Sequence, residues 1–368
     1  MKVCIVNCFE TYNIRSRIVG EFFQSRGDEV IFLESDFFHM KKIYKSNIDL
    51  DENTIRLHVP SYKKNLSIRR MYSHKQFSLQ VAKFLSEHEF DLIYGLIPPN
   101  SILESILNNR NRAKTVADII DLWPESFPIT EENIFMKYFI KKRNENLALF
   151  DKVISECNLF KNKINIENKL DIHTIYFCGG KNSFSQHINK KDELNLAYIG
   201  SINNIIDIDL ISQLINSLSK NITVNIHVIG TGEKKDEFLS RMKDASANVF
   251  FYGTVYDDNK KKIILEKCDF GINLMKQSVM VGVTMKSIEY YRFSLPIINN
   301  IQEDTWGFVD ERNIGVNINR ENIENGMKEI LKLKNNINFQ SENVKKLYLD
   351  HFSREVFFEN MELVMSNL

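Results

Sequence analysis

Short, near-continuous runs of Val, Ile, Leu and Phe alternate along this chain with longer stretches whose apolar residues recur at helical spacing. In the N-terminal half the runs are KVCIVNCF, EVIFLES, IRLHVP, DLIYGLI, KTVADII, KVISE and DIHTIYF, and residues 14–26, 73–88 and 133–150 between them predict helices. A run that is apolar at nearly every position suits a parallel strand covered by helices on both faces. The first half therefore predicts an open, doubly wound α/β domain. The pattern breaks at CGGKNSFSQHINKKDELN (178–195), a polar, glycine-bearing linker, and restarts with LAYIGSI, VNIHVIGTG, NVFFYGTV, DFGINLM and LPIINN. That is a second α/β domain. The last segment, FSREVFFENMELVMSNL, predicts an amphipathic helix bearing Phe352, Val356, Phe357 and Met361, placed to pack back onto the first domain. The expected boundaries are 1–180 for the first Rossmann-like domain, 181–193 for the linker, 194–345 for the second domain and 346–368 for the returning helices.

Charge adds an exclusion. Lys and Arg number 48, as do Asp and Glu, so no overall field draws the protein to nucleic acid, and none is expected as a partner. No run reaches the ~20 apolar residues of a spanning helix. The apolar start of the chain is too short for the core of a signal peptide. Cys4, Cys8, Cys157, Cys178 and Cys268 form no C-x-x-C pair, which suits reduced thiols in the cytoplasm and argues against a zinc site.

Two tandem domains of this class imply a cleft, with ligands at the carboxyl ends of the strands. Three turns at strand ends of the second domain open with glycine: Gly200, Gly230 and Gly253. Glycine lets a ligand approach the backbone, or it is simply a common residue after a strand. GVTMKSIEYYRFSLPIINN (282–300) predicts a short helix opened by Gly282, Val283 and Thr284, then a buried strand. The unpaired N–H groups at such a helix start form an anion site, and Lys286 adds a positive charge there. Glu289, one turn on, suits vicinal hydroxyls such as those of a ribose. The alternative is a surface ion pair between Lys286 and Glu289. Asp207 and Asp209 mimic a metal-binding D-x-D, but they sit where a helix begins, which predicts an N-cap instead.

In the first domain Asp118, Asp121 and Glu125 cluster after a strand, where paired acids bind sugar hydroxyls or act as a general base, or else cap loops. Trp123 and Trp306 are expected in loops, as stacking faces for a sugar or as packing. Glu10, Asn13 and Arg15 follow the first strand and are candidates to touch an acceptor or a phosphate. The stretches YKKNLSIRRMYSHKQF (62–77) and FMKYFIKKR (135–143) are basic and aromatic together, as surfaces that dock on anionic lipid headgroups are; many such runs are only solvated faces. A dinucleotide-dependent oxidoreductase is excluded, because NCFETYNIR after the first strand lacks the glycines of G-x-G-x-x-G.

The ordered set NLAYIGSI, HVIGTGEKKDEF, ANVFFYGTV, KCDFGINLM, MKSIEYYRFSLPII and ERNIGVNI, with DIIDLWPES (118–126) in the first domain, resembles retaining, nucleotide-sugar-dependent glycosyltransferases. The similarity is to the GT-B fold, especially the family 4 enzymes of bacterial surface-polysaccharide assembly, and it is strongest over 194–319. The resemblance implies that Glu289 contacts the donor ribose and that Lys286 contacts the diphosphate and stabilises it as it leaves. It implies that the backbone of Gly253, Thr254, Val255 and Tyr256 reads the base, and that Gly230 and Gly232 line the cleft. Gly200, Ser201 and Asn203 would complete the donor site. Asp118 and Asp121 would serve the acceptor side catalytically, with Trp123, Glu125, Glu10 and Arg15 as acceptor contacts. No metal and no cofactor are expected beyond the nucleotide-diphosphate sugar, a UDP-sugar being favoured. The acceptor would be a glycan or a lipid-linked oligosaccharide, met at the inner face of the membrane through the first domain. Two positions depart from the family. Val281 stands where a second glutamate is common, and residues 201–204 carry no cation. These leave open a catalytically silent homologue that scaffolds an assembly complex; a GT-B sugar-nucleotide epimerase is a further alternative.

Overall fold

A computed structural model describes residues 1–46, 51–126, 133–164, 170–185, 192–366 and 368. It divides into two units, Met1–Ile175 with Phe358–Leu368, and Tyr176–Phe357. The first contains, in order, β1 (Lys2–Asn7), α1 (Asn13–Ser25), β2 (Glu29–Ser35), β3 (Phe37–Phe38), β4 (Ile43–Tyr44), β5 (Thr54–Leu57), α2 (Ile68–Glu87), β6 (Leu92–Ile97) and α3 (Ser101–Leu107). It continues through β7 (Lys114–Ile119), α4 (Ile134–Leu147), β8 (Lys152–Ser155), α5 (Asn158–Ile164) and β9 (Ile172–Thr174). Seven strands form one parallel sheet in the order β5-β2-β1-β6-β7-β8-β9, while β3 and β4 pair antiparallel outside it. Every apolar run named above contains one of the seven. All six residues of β6 are buried, as a strand covered on both faces requires.

Two helices escape the hydrophobic pattern. α3 and α5 have seven residues each, two turns, too few to display a helical period. α2 begins at Ile68 instead of residue 73 because Ser67 caps it, its hydroxyl accepting from the amide of Arg70 at 3.2 Å. The hydrophobic stripe alone hides that polar first turn.

The second unit contains β10 (Glu193–Ile199), α6 (Ile208–Leu218), β11 (Thr223–Ile229), α7 (Lys235–Asp244), β12 (Asn248–Gly253), α8 (Asp258–Leu265), β13 (Phe270–Asn273), α9 (Met285–Arg292), β14 (Ile297–Asn299) and α10 (Asp304–Arg312). After these come β15 (Gly315–Asn317), α11 (Ile323–Lys334), α12 (Ile337–His351) and α13 (Arg354–Met365), whose last turns belong to the first unit. Its sheet is parallel throughout, in the order β12-β11-β10-β13-β14-β15. Leu196, Tyr198, Ile226, Val228, Phe270 and Ile272 of the strands pack against Leu210, Ile211 and Leu214 of α6 and Phe238 of α7. On the other face Tyr290 and Tyr291 of α9 pack with Val344, Leu347 and Tyr348 of α12.

Residues 186–191 of the expected linker lie outside the described residues. Before them, Tyr348 donates to the carbonyl of Gly180 at 2.6 Å and the Gly179 amide to that of Phe352 at 2.9 Å, which ties the chain after β9 to α12. The C-terminal stripe differs from expectation at two positions, Phe352 and the half-buried Val356. Phe352 caps the end of α12, and the buried face of α13 is Phe357, Met361, Val364 and Met365. In the first unit Phe358 meets the Phe22 ring edge-on at 5.6 Å, and Glu362 pairs with Arg26 at 3.1 Å.

Candidate functional site

The turn after β10 and the start of α9 meet at Lys286. This lysine is the second residue of α9, only 9% exposed, and its side chain runs back to the end of β10. A Cβ built on Gly200, whose φ is +115°, would stand 3.7 Å from the Cε of Lys286. The Nζ lies 4.2 Å from the ring centroid of Tyr198, a cation–π contact, and among the described residues it has no hydrogen-bond partner. Burial pulls its pKa down from 10.5 to about 7. A buried ammonium without an acceptor is costly, a cost that an anion at this position would relieve.

α9 is anchored by a device that the sequence reading missed. Asn273, Asn299 and Asn317 stand in register at the ends of β13, β14 and β15. Asn299 Nδ2 donates to Asn317 Oδ1 at 2.8 Å, and Asn273 Nδ2 donates to Asn299 Oδ1 at 3.0 Å. Asn273 Oδ1 in turn accepts from the hydroxyl of Thr284 at 2.9 Å. Thr284 is the N-cap of α9, accepting from the amide of Ser287 at 3.0 Å. Its hydroxyl is thus committed to holding the helix, so a donor-site contact here would come from the backbone N–H groups of the helix start. Gly282 is held through its carbonyl, which accepts from the hydroxyl of Thr305 at 2.6 Å. Val283 packs against the α9–α12 cluster, and Val281 against the main core.

The surface ion pair between Lys286 and Glu289 does not form. Glu289 instead accepts from Lys261 at 2.7 Å and from Arg292 at 3.0 Å. Asp258 takes Arg292 through two bonds of 2.7 and 2.8 Å and pairs with Lys261 at 3.0 Å. The Arg292 guanidinium holds the Asp258 carboxyl well below the usual range. This four-charge network fixes the Glu289 side chain across α8 and α9 while leaving it 22% exposed. Two i,i+3 pairs, Asp258 with Lys261 and Glu289 with Arg292, were its signal in the sequence.

At Gly230 the packing of the turns adds a reason of its own for glycine. Gly200 N–H donates to Ile229 O at 2.9 Å, Gly230 N–H to Gly253 O at 2.7 Å and Ile202 N–H to Thr231 O at 3.0 Å, which stitches the three turns together. A Cβ on Gly230 (φ +140°) would lie 2.0 Å from the carbonyl oxygen of Gly200. Gly230 makes room for a neighbouring backbone, whereas a Cβ on Gly200 or Gly253 would meet no backbone atom within 4 Å. Gly230→Ala is expected to cost about 3 kcal/mol, since a backbone oxygen must move and a positive φ is strained, and urea unfolding checks it.

Other predicted donor contacts spread along the same edge. Ser201 is exposed, and its carbonyl accepts from the Tyr198 hydroxyl at 2.8 Å. Asn203 turns inward to accept from Ile205 N–H at 3.2 Å, so its side chain serves its own loop. Gly253 has φ +67°, and beyond it Thr254, Val255 and Tyr256 line an open pocket of about 600 Å3 with Tyr252 and Lys260. Asp207 caps α6 as expected, accepting from Leu210 N–H at 3.0 Å, and also takes Arg320 at 2.7 and 2.8 Å.

In the first unit the structure corrects several assignments. Asp118 and Arg15 are both fully buried and bind each other through two bonds of 2.8 and 2.9 Å. Tyr94 donates to the same carboxylate at 2.6 Å, and Arg15 reaches Ile175 O at 2.8 Å. Neither residue faces solvent, so Asp118 is not a catalytic acid and Arg15 does not touch an acceptor. Glu125 is likewise buried in a two-bond pair with Arg143, at 2.7 and 2.8 Å. Glu10 accepts from the amides of His39 and Met40 at 2.8 and 2.7 Å, which pins the loop after β3. Asn13 accepts from Asn7 at 2.9 Å at the start of α1. Asp121 is different: it is half-buried, no cation pairs with it among the described residues, and burial raises its pKa against the pull of the Leu122 amide and Arg70. Trp123 is half-buried, meets Phe139 edge-on at 5.2 Å and lines a cavity of about 230 Å3. Trp306 lies on α10 and not in a loop.

Beside this cavity is a cluster that the sequence did not announce. The rings of His39 and His74 lie 5.0 and 5.1 Å from Phe9, and His39 Nδ1 meets the Tyr62 hydroxyl at 2.5 Å. Burial, with Arg70 and Lys42 nearby, lowers His39 to about 3 and holds His74 well below its usual value. His74 within the basic, aromatic stretch 62–77 was the available hint.

No family model and no curated protein matches the chain. Solved structures do. The lipopolysaccharide outer core galactosyltransferase WaaB in its apo form is 11% identical over 100% of both chains, with a TM-score of 0.72. HepE of Anabaena, solved with UDP, is 11% identical over 100% of both chains at 0.70. A point mutant of S. aureus TarM, solved with fondaparinux, alpha-GlcNAc-glycerol and UDP, is 14% identical over 99% of both chains at 0.66. At such identities the likeness is one of fold, and the fold is GT-B, built from two Rossmann-like domains.

Proposed function

We propose that this protein is a glycosyltransferase that moves a sugar from a nucleotide-diphosphate donor, a UDP-sugar by preference, to a glycan or lipid-linked acceptor. The observation that carries the reading is Lys286: a buried ammonium with no hydrogen-bond partner among the described residues, at the N-terminus of α9 beside the left-handed turn at Gly200. A diphosphate there gains a full charge and the helix N–H groups together. Aimed at the leaving group, the same donors stabilise the charge that develops as the glycosidic bond breaks. Glu289, fixed by Lys261 and Arg292, is placed one turn further to accept from ribose hydroxyls, and the loop from Gly253 to Tyr256 offers its backbone to the base. Asp121 is the acid of the first unit that is left to serve an acceptor hydroxyl. Transfer with retention, in assembly of a surface polysaccharide, follows from the resemblance of the ordered motifs.

Among the described residues no helix is long and apolar enough to cross a membrane. Contact with a bilayer surface through the first unit is part of the proposal. Ile68, Met71 and Tyr72 on α2 and Ile134, Phe135 and Tyr138 on α4 are exposed among Arg69, Lys75, Lys137 and Lys141. One observation favours a second reading, a silent scaffold: Val281, half-buried against the core, stands where the family often carries a sugar-contacting glutamate.

The test is titration of the purified protein with UDP, GDP, ADP and TDP, followed by turnover of the matching nucleotide sugars. One nucleotide is expected to bind saturably, and Glu289→Ala to weaken it at least tenfold. Binding without turnover on any acceptor selects the scaffold; no binding by a folded sample removes the transferase.

A further inference from the structure

The cavity in the first unit opens at the carboxyl ends of β6 and β7, where Pro98 and Trp123 follow the strands. Its volume of about 230 Å3 lies below the ~300–1,000 Å3 of sites that enclose a whole drug-sized ligand. It therefore takes one end of a molecule. One wall is apolar: Met71, Pro98, Trp123 and Phe139. Four cations line it, and two of these are neutralised: Lys142 pairs with Glu104 at 2.7 Å, and Arg143 with Glu125 at 2.7 Å. Arg70 and Lys75 have no carboxylate partner among the described residues. Arg70 is held in place by neutral groups, its Nε donating to His74 Nε2 at 3.3 Å and its Nη1 to Asn65 O at 3.1 Å. That bond uses the His74 nitrogen as an acceptor and keeps the ring neutral. The cavity thus holds, beside an indole face, two positive charges to which no carboxylate is bonded among the described residues.

We propose that this cavity seats the anionic end of the acceptor, a phosphate or diphosphate joined to a sugar ring or to an apolar chain. The guanidinium of Arg70 presents a donor fork suited to phosphate oxygens, and Lys75 adds a mobile charge. The indole of Trp123 covers the adjoining ring or chain. This deepens the transferase reading and rests on it for the word acceptor; the binding itself is testable without donor or turnover.

Trp123 and Trp306 are the two tryptophans of the chain, so Trp306→Phe leaves Trp123 as the sole indole reporter, inside the cavity. In that background, with UDP present throughout, the probes are glucose 1-phosphate, farnesyl diphosphate and methyl glucoside. At least one phosphate-bearing probe is expected to shift Trp123 emission saturably, with the neutral glucoside inert at the same concentration. A response to glucose 1-phosphate assigns the anion to a sugar phosphate; a response to farnesyl diphosphate alone assigns it to a lipid carrier. Arg70→Ala with Lys75→Glu should weaken the response at least tenfold, and Lys286→Ala should leave it unchanged. Should the double variant fail to fold, Lys75→Glu alone, on an exposed side chain, is expected to weaken it several-fold. Equal binding of the neutral glucoside, an undiminished response in the variants, or silence towards both phosphates overturns the proposal. UDP binding measured on the same samples separates the two readings: if it fails while Trp123 responds, the transferase falls and the anion site stands.

Discussion

Lys286→Met is expected to abolish transfer, weaken UDP binding at least tenfold and raise the stability of the ligand-free protein. The three effects share one cause. The lysine has a folded pKa of about 7 against 10.5 when exposed. Below pH 7 it is charged in both states, and its burial costs the fold in full, with an upper bound on the order of 5 kcal/mol. Between pH 7 and 10.5 the unfolded chain holds a proton that the folded one releases, so stability rises with pH and the penalty fades. The gain in the methionine variant is therefore largest below pH 7 and shrinks towards pH 10. A diphosphate reverses the balance, because it favours the charged amine. Binding takes up a proton above pH 7, and affinity falls there by up to about tenfold per pH unit. Calorimetry in two buffers of different ionisation enthalpy reads that proton directly. Wild-type turnover in the variant, or a loss of stability at pH 6.5, would sink the assignment.

The largest loss of stability is expected at the buried pair of the first unit. Arg15→Met or Asp118→Asn leaves an uncompensated group where both partners are fully buried. Breaking such a pair costs about 3–5 kcal/mol, or roughly 10 °C in Tm for a unit of this size. Replacing both, Arg15→Met with Asp118→Leu, should recover much of the loss, since two apolar side chains need no partner. Thermal unfolding of the three variants checks this. Asp118→Asn with an unchanged Tm and no turnover would restore Asp118 to the chemistry.

How far each feature could be read from the chain depended on the distance between the residues that make it. The seven strands of the first sheet and five of the six in the second were legible because a fully covered parallel strand must be apolar at almost every position. Gly282–Lys286–Glu289 was legible as a helix start, since capping and helix pitch are local. Asp118 and Glu125 were misread because their partners, Arg15 and Arg143, come from other elements of the chain. Arg15 is 103 residues from Asp118, and nothing in DIIDLWPES distinguishes a carboxylate buried against a guanidinium from one facing a substrate.

What the sequence determined by itself is therefore what short-range rules govern: two α/β sheets, their strands, and a lysine and a glutamate one turn apart on α9. Tertiary structure alone decided where each charge goes. It turned Lys286 into the protein without a partner, paired Glu289 with Lys261 and Arg292, and lined Asn273, Asn299 and Asn317 up behind Thr284. It also closed Asp118, Arg15 and Glu125 into the interior and left Arg70 and Lys75 lining a cavity with no bonded carboxylate among the described residues. The reason is physical. The free energy of a charge depends on the groups and solvent within a few ångströms of it, and those neighbours come from strands and helices far apart in the chain.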